Sequence, residues 1–119
     1  MIHGSCLCGS IKYEISGNIE SIGKCDCVDC KKMTGSEFSA NVLIKQDVFH
    51  LVEGKNNIAT YRVSDEVSRT FCKICGSNLQ YIANEHPEII GIALGSVDDT
   101  AEEIHRESIN TNTIQVRSN

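Results

Sequence analysis

Seven cysteines fall into three short clusters, and this arrangement constrains the fold of the chain more than any other feature. The clusters are Cys6-Leu7-Cys8, Cys25-Asp26-Cys27-Val28-Asp29-Cys30 and Cys72-Lys73-Ile74-Cys75. Clustered thiols in a reducing compartment are more typical of metal binding than of disulfides, and an odd number cannot form a complete disulfide framework. Zinc sites show the same division into four and three, since closed structural sites take four protein ligands and catalytic sites commonly take three. The clusters therefore predict metal binding.

Length and charge limit the classes of protein to which the chain can belong. With 119 residues it is expected to form one domain over residues 1–119, with 107–119 as a strand or a looser tail. The net charge of −5 is spread along the chain without a basic face, which argues against nucleic-acid binding. No segment is long and apolar enough to span a bilayer, and residues 1–5 lack the apolar core of a signal peptide. We therefore expect a cytoplasmic protein without membrane contact.

Alternating apolar and polar residues predict a mainly β domain. Ile11, Tyr13 and Ile15 occupy every second position of their segment, and this period is typical of strands with one buried face. Further segments with the pattern cover residues 38–44, 48–52, 58–63, 66–71, 79–83 and 88–94. Turn-forming residues at 17–18, 54–57 and 83–85 separate some of these segments. We therefore expect antiparallel sheets joined by short turns.

Two segments predict helix instead. Residues 27–34 can form a short helix that ends at Gly35, because glycine readily adopts the left-handed conformation of a helix C-cap. Residues 98–106 carry acidic side chains early and a basic one late, which suits the dipole of a helix. Both predicted helices are short, so the expectation of a mainly β fold stands.

The spacing of the cysteines, and the glycines beside them, indicate which thiols share a metal. Cys72 and Cys75 stand before Gly76 with the spacing of a zinc knuckle, and the glycine permits the positive φ that this turn needs. Cys8-Gly9 repeats the junction, whereas none of the three central cysteines precedes a glycine. We therefore predict one closed site, the four-cysteine group, built from Cys6, Cys8, Cys72 and Cys75.

The remaining cysteines form the three-cysteine group of Cys25, Cys27 and Cys30. They are close enough in sequence for their thiolates to meet on one ion. An open, catalytic type of site is one interpretation of this group. It could instead be a second structural zinc site closed by a histidine, or a set of redox thiols. The histidines that could close it are His3, His50, His86 and His105.

Three blocks around the cysteines have a recognisable order and spacing. The blocks are Gly4-Ser5-Cys6-Leu7-Cys8-Gly9, then Cys25-x-Cys27-x-x-Cys30-Lys31-Lys32-x-x-Gly35, then Phe71-Cys72-x-x-Cys75-Gly76-Ser77-x-Leu79. Together with Gly35-Ser36-Glu37-Phe38-Ser39-Ala40, they resemble the glutathione-dependent formaldehyde-activating enzyme family, which also includes centromere protein V-like proteins.

The resemblance implies a fold, two metal sites and an activity. The implied fold is Mss4-like, a β-tent of antiparallel sheets held by a structural zinc. The family's structural zinc corresponds to the four-cysteine group and its catalytic zinc to Cys25, Cys27 and Cys30, so two zinc ions per chain are expected. The implied activity is that of a carbon–sulfur lyase, the reversible condensation of glutathione with formaldehyde to S-hydroxymethylglutathione. A small thiol such as glutathione and an aldehyde are then the expected partners.

Two departures from the family pattern bear on the substrate. Asp26 stands where the family usually has histidine between the first two central cysteines. The family's histidine segment near the C terminus matches Glu103-Ile104-His105, but no tryptophan follows it and the chain's only proline is Pro87. Since the end of the chain often lines the substrate cleft in this family, a changed substrate is one expectation from these departures.

Candidate acid–base residues are Asp26, Asp29 and His105, because a carboxylate or an imidazole near the metal could move a proton. The alternative for Asp29 is a carboxylate that caps or decorates the short helix, and for His105 an exposed side chain without a role. Lys31 and Lys32 could offset the charge of the three thiolates or attract an anionic substrate, or they could be solvated helix lysines.

Three classes of function are compatible with these features. The first is a zinc-dependent lyase that acts on a thiol–aldehyde adduct or a related small electrophile. The second is a non-catalytic, zinc-stabilised protein-interaction module of the Mss4-like group. The third is a redox or metal-buffering protein that uses the central thiols directly. The zinc content and the effect of removing single cysteines separate these classes.

Overall fold

The computed structural model describes residues 1–100, 102–104 and 114–117, the last of these as backbone only. The elements in chain order are β1 (Ile2–Ser5), β2 (Lys12–Ile15), β3 (Ser21–Cys25), α1 (Val28–Thr34), β4 (Ser39–Lys45), β5 (Phe49–Glu53), β6 (Ile58–Arg62), β7 (Val67–Cys72), β8 (Asn78–Ala83), β9 (Ile89–Ala93) and β10 (Ile114–Arg117). Single 3-10 turns lie before β5, before β6 and after β9, at Gln46–Val48, Lys55–Asn57 and Leu94–Ser96.

The strands form a small and a large sheet. The small sheet has the order β1-β2-β5, and the large sheet has the order β10-β3-β4-β9-β8-β7-β6. Among the described strands, the pairings are antiparallel except that of β10 with β3, which is parallel. The expected antiparallel sheets are therefore confirmed with one exception. Strand β10 lies within the range 107–119, and the rest of that range lies outside the described residues.

Buried side chains from both sheets meet in one core. On β4, Val42 and Ile44 are fully buried, whereas Leu43 between them is only half-buried. Ile92 and Ile90 of β9 pair in register with Val42 and Ile44 and are buried in the same way. Because successive side chains of a strand lie on opposite faces, the large sheet has a core face and a second face, here called the outer face.

Tyr13 joins the small sheet to the turn that follows β9. Its buried hydroxyl lies 2.5 Å from the Oγ of Ser96, and its ring packs on Phe49 with 5.1 Å between the ring centroids. A Cβ on Gly4 would lie only 2.0 Å from the Cζ of this ring, so position 4 requires glycine. The close approach of Tyr13 to the β1 backbone therefore depends on one glycine.

Helix α1 confirms the first predicted helix. Cys27 precedes it in an extended conformation and accepts a hydrogen bond from the Cys30 N–H at its Sγ, at 3.4 Å. Gly35 ends it in the left-handed conformation, with φ at 68°, and donates its N–H to the Lys31 carbonyl at 2.8 Å. The helix thus begins and ends at the residues that the sequence indicates.

The second predicted helix, 98–106, is confirmed only in part. Residues 102–104 are helical, and Thr100 caps them because its Oγ1 accepts a hydrogen bond from the Glu103 N–H at 3.2 Å. The predicted start at Asp98 is wrong: Asp98 accepts a hydrogen bond from the Ser5 hydroxyl at 2.8 Å, outside the helix. Residues 105 and 106 lie outside the described part. Within the described residues, no helix has the length and apolarity needed to cross a membrane.

Candidate metal centres

Two turns bring the four-cysteine group together. Cys6 and Cys8 lie in the turn between β1 and β2, Cys72 ends β7, and Cys75 lies in the turn before β8. The four Sγ atoms all lie within 4.8 Å of one another, with 3.6 Å between Cys6 and Cys8 and 3.8 Å between Cys8 and Cys72. A tetrahedral zinc with Zn–S bonds of ~2.3 Å separates its sulfurs by ~3.8 Å. The sulfur spacing therefore fits a tetrahedral metal and is far too wide for disulfides.

The two turns of this group have the same local geometry. Gly9 and Gly76 have φ of 79° and 81°, the left-handed conformation that glycine adopts without strain. Backbone N–H groups point at the sulfurs, since Ile11 donates to the Sγ of Cys6 at 3.3 Å and Ile74 to the Sγ of Cys72 at 3.4 Å. The predicted role of the glycines in shaping the knuckles is therefore confirmed.

Two serines beside the four-cysteine group were not predicted. The hydroxyl of Ser10 lies 3.1 Å from the Sγ of Cys8, and that of Ser77 lies 3.2 Å from the Sγ of Cys75. Hydrogen bonds from Ser77, through its hydroxyl and its backbone, lower the pKa of the Cys75 thiol to about 5. The thiolate is the form that binds metal, so these hydroxyls favour the form that the site needs. The sequence signal is a serine two residues after a cysteine in each turn.

The three-cysteine group lies where β3 leads into α1. Cys25 ends β3, Cys27 caps the helix, and Cys30 stands in its first turn, so that the three Sγ atoms lie within 4.8 Å of one another. Burial raises the pKa of the Cys30 thiol to about 12, whereas the hydrogen bond from the Cys30 N–H lowers the pKa of Cys27. Cys25 and Cys27 remain half-buried.

No histidine of the described part completes the three-cysteine group. None of His3, His50 and His86 brings a ring nitrogen within 4.8 Å of all three sulfurs. The imidazole of His50 instead hydrogen-bonds the Ser16 hydroxyl at 2.8 Å. His105 lies outside the described residues. Among the described residues, the group therefore offers three ligands, all of them thiols.

A cleft of about 370 Å³ opens beside this group, with Cys25 and Cys30 on its wall. Its volume lies within the range of ~300–1,000 Å³ that is usual for small-molecule sites. The other lining residues include Ser39, Asn41, Tyr81 and His86. Nothing in the sequence groups these four residues: His86 is there only a candidate metal ligand, and Ser39 only part of the block at residues 35–40. Ser39 and Asn41 are polar residues at alternate positions of β4, so their side chains lie on the same face of the strand. This pattern is the sequence feature that could have indicated them.

The predicted acid–base residues are less well placed than the cysteines. Asp26 and Asp29 are both exposed, and neither lines the cleft. Lys31 and Lys32 on α1 are exposed as well, as solvated helix lysines would be. The structure thus brings the three thiols to one point but leaves these four charged side chains in solvent.

The donor sets of both groups fit a thiophilic metal. Each group offers only cysteine sulfurs, and thiolates in tetrahedral spacing are typical ligands of zinc. Calcium and magnesium prefer oxygen ligands, and neither group contains a carboxylate. Both groups could therefore hold a metal ion of the zinc type.

A second cleft, of about 540 Å³, lies on the side of the four-cysteine group. Cys6, Ser77 and Ser96 are among its lining residues, and Asp98 places a carboxylate in it. None of the three central cysteines lines this cleft. It is therefore the smaller cleft that gives access to the three-cysteine group.

Comparison with known proteins agrees with this description. A solved crystal structure of a Rhodobacter sphaeroides protein has the same fold, with a TM-score of 0.73, 17% sequence identity, and coverage of 96% of this chain and 98% of that chain. This likeness confirms the mainly β fold expected from the resemblance. The family model described as glutathione-dependent formaldehyde-activating enzyme matches residues 1–113. Because that match spans nearly all of the 119 residues, the chain belongs to the glutathione-dependent formaldehyde-activating enzyme family.

Proposed function

We propose that this protein is a zinc-dependent carbon–sulfur lyase of the S-hydroxymethylglutathione synthase type. The observation that carries the proposal is the convergence of Cys25, Cys27 and Cys30 within 4.8 Å, with Cys25 and Cys30 on the wall of a cleft and no fourth ligand from the described residues. The four-cysteine group, in contrast, is complete. Closed and open donor sets are what distinguish structural from catalytic zinc sites.

The proposed reaction joins a thiol such as glutathione to formaldehyde and also runs in reverse. The thiol sulfur bonds to the aldehyde carbon, the carbonyl π electrons move to oxygen, and the thiol proton ends on that oxygen. A zinc ion bound by the three-cysteine group would supply positive charge that favours the thiolate form of the substrate. The cleft positions the two reactants beside this charge, and we place the reaction in the cytoplasm, where thiols stay reduced.

His86 is the imidazole that the cleft supplies among the described residues, but it stands before Ile89, at the end of the cleft opposite Cys25. It is the only imidazole that lines the small cleft within the described part, and its Nδ1 lies 3.5 Å from the Oε1 of Glu88. Asp26 and Asp29 neighbour the cysteines in sequence, but both are exposed and stand outside the cleft wall. His105 stays a candidate from the sequence alone.

The rate of interconversion between glutathione and S-hydroxymethylglutathione tests the proposal. Two-dimensional exchange NMR measures this rate at equilibrium and separates the catalysed from the spontaneous reaction. Zinc-loaded protein with two zinc ions per chain is expected to raise the rate in proportion to its concentration. Cys27→Ser is expected to return the rate to the spontaneous value while circular dichroism shows an intact fold. A protein that holds two zinc ions and leaves the rate unchanged would contradict the proposal.

A non-catalytic, zinc-stabilised protein-interaction module is the second candidate. The observation that favours it is the exposure of Leu7 and Ile74, 87% and 61%, in the two turns that hold the four-cysteine group. Exposed apolar side chains on a rigid turn are suited to contact with a protein partner. Leu7→Ser and Ile74→Ser leave the exchange rate unchanged if the protein is an enzyme, and they weaken partner binding if it is an interaction module.

A further inference from the structure

Helix α1 holds part of the three-cysteine group but is only loosely packed. Cys27 caps it and Cys30 lies in its first turn, and of its seven residues, all of them described, Cys30 alone is buried. A helix of seven residues is not stable by itself in water, so it depends on contacts with the rest of the fold. One buried thiol contributes little apolar burial. The position of α1 therefore depends on a few polar contacts beside the thiols.

A small cavity lies between the end of α1 and the outer face of the large sheet. It has a volume of about 50 Å³, and Met33 of the helix lines it together with Arg69 and Tyr81. Arg69 pairs with Tyr81, and Tyr81 pairs with Gly91. Gly91 pairs in turn with Leu43, so the whole row lies on the outer face. The end of α1 therefore lies over a gap and is not close-packed on the sheet.

The side chain of Asn78 bridges this gap from the start of β8. Its Nδ2 donates a long hydrogen bond to the Met33 carbonyl, at 3.5 Å, and its Oδ1 accepts one from the Nη1 of Arg69 at 2.9 Å. A guanidinium has donors only, so Arg69 faces the oxygen of the carboxamide and leaves the nitrogen for the helix. Arg69 itself packs on two rings, 4.9 Å from the centroid of Phe71 and 5.8 Å from that of Tyr61. The strands thus fix the orientation of the Asn78 side chain.

The backbone of Asn78 is held by the turn of the four-cysteine group. Asn78 pairs in register with Phe71 and directly follows Ser77. The Ser77 hydroxyl accepts a hydrogen bond from the Leu7 N–H at 2.9 Å and lies 3.2 Å from the Sγ of Cys75. The turn that closes the four-cysteine group therefore leads directly into the residue that contacts the helix of the other group.

A contact at Met33 acts on the position of Cys30. Residues three apart in a helix are neighbours on the same side, so Met33 lies about one turn beyond Cys30. Cys25, in contrast, belongs to β3, where its pairing with Ser39 fixes it to the sheet. Movement of the helix end therefore changes the distance between the sulfurs of Cys30 and Cys25. A tetrahedral metal tolerates only small changes in the positions of its ligands.

We propose that Asn78 is a positioning residue for the three-cysteine group: it holds the end of α1 where the three thiols can meet on one metal ion. This inference rests on the part of the proposed function that assigns a metal to this group. Asn78 does not line the cleft beside the group, so its effect reaches the reaction through the metal and not through contact with substrate. The four-cysteine group thus supports the geometry of the other group.

Cobalt bound in place of zinc at the three-cysteine group tests this role, because the visible absorption of thiolate-bound cobalt depends on its coordination geometry. Asn78→Ala removes both hydrogen bonds, whereas Asn78→Asp keeps an acceptor for Arg69 but has no donor for the Met33 carbonyl. We expect both variants to shift this absorption and to weaken metal binding at the group about tenfold. Both should lower kcat and leave the KM for glutathione nearly unchanged.

Asn84→Ala is the matched control. Asn84 follows the other end of β8, where its Oδ1 accepts a hydrogen bond from the Ser68 hydroxyl and its Nδ2 donates one to the Asp65 carbonyl, both at 3.2 Å. We expect this variant to leave the cobalt absorption unchanged. The same shift in Asn84→Ala, or lower stability of both Asn78 variants with unchanged absorption, would overturn the positioning role. The expected shifts in a protein that does not accelerate the reaction of glutathione with formaldehyde would support that role and contradict the proposed function.

Discussion

Cys27 and Cys72 occupy different kinds of position, so substituting each in turn distinguishes the roles proposed for the two cysteine groups. Cys72 is fully buried, and its group joins the β1–β2 turn to the end of β7. The binding free energy of a structural zinc, about 10–16 kcal/mol in small zinc domains, is comparable to the whole stability of a domain. We therefore expect Cys72→Ser to unfold the protein, as measured by circular dichroism.

The matched substitution Cys27→Ser should spare the fold. Cys27 is half-buried at the start of a seven-residue helix, and the core does not depend on it. We expect a folded protein that retains one zinc ion per chain and lacks activity, as shown by metal analysis and exchange NMR. Unfolding of Cys27→Ser to the same extent as Cys72→Ser would contradict the assignment of an open site to the three-cysteine group.

Tyr13 makes the stability of the fold sensitive to alkaline pH. Burial raises the pKa of its hydroxyl from 10.0 to about 12, so the unfolded chain releases this proton at lower pH than the folded chain does. The resulting stability is fully present below pH 10 and is lost as pH rises toward 12. By pH 11 the loss is about 1 kcal/mol.

Urea unfolding at pH 9 and pH 11 measures this effect. We expect Tyr13→Phe to show a smaller difference between the two pH values than the unchanged protein. Stability falls at both pH values, because Ser96 loses one hydrogen bond and keeps the one to the Ala93 carbonyl. Tyr61→Phe is the control, because Tyr61 is 56% exposed. The same pH dependence in Tyr13→Phe as in the unchanged protein would show that other groups cause it.

The knuckle turns are the elements whose backbone matters most to the four-cysteine group. Gly76 has φ of 81° and nothing lies within 4 Å of a Cβ built on it, so alanine there is strained without being crowded. We expect Gly76→Ala to lower the free energy of unfolding by about 1–2 kcal/mol. Gly95→Ala is the matched control: its Cβ also meets nothing within 4 Å, and glycine there has no positive φ. Equal urea midpoints for the two variants would contradict this account of the turn.

The strands could be predicted from the sequence wherever their two faces differ in polarity. The seven segments of alternating residues correspond to β2 and to β4 through β9, each within one residue at either end. The short strands β1 and β3 were not predicted, because Gly4 and Gly23 interrupt the alternation of apolar and polar residues in them. Gly4 is explained only by Tyr13, which packs on it from the neighbouring strand. Such contacts depend on the register between strands, which alternation alone does not fix.

At the scale of the whole molecule, the grouping of the cysteines could be predicted and the cleft could not. Cysteine spacing and the adjacent glycines give the same partition that the sulfur positions show. The cleft instead combines residues from four strands, such as Gly23, Asn41 and Tyr81, and their proximity follows from sheet order and register. The exposure of Asp26 and Asp29 has a related reason: nearness in sequence to a cysteine of the group does not determine where a side chain lies.

The two metal groups should lose zinc in separate steps when the whole protein is titrated with a chelator. The three-cysteine group offers three thiols beside a cleft, whereas the four-cysteine group would surround a metal and contains two fully or nearly fully buried cysteines, Cys6 and Cys72. We expect the first zinc ion to leave with loss of activity and little change in circular dichroism. The second should leave with unfolding, because its site closes the fold.

Zinc release followed by a colorimetric indicator, together with circular dichroism on the same samples, checks this order. Cys27→Ser is the control, and it should show only the second step. A single step in which zinc loss, inactivation and unfolding coincide would mean that the two sites are one cooperative unit. In that case the three-cysteine group would support the fold as strongly as the four-cysteine group does. That outcome would contradict its assignment as an open catalytic site.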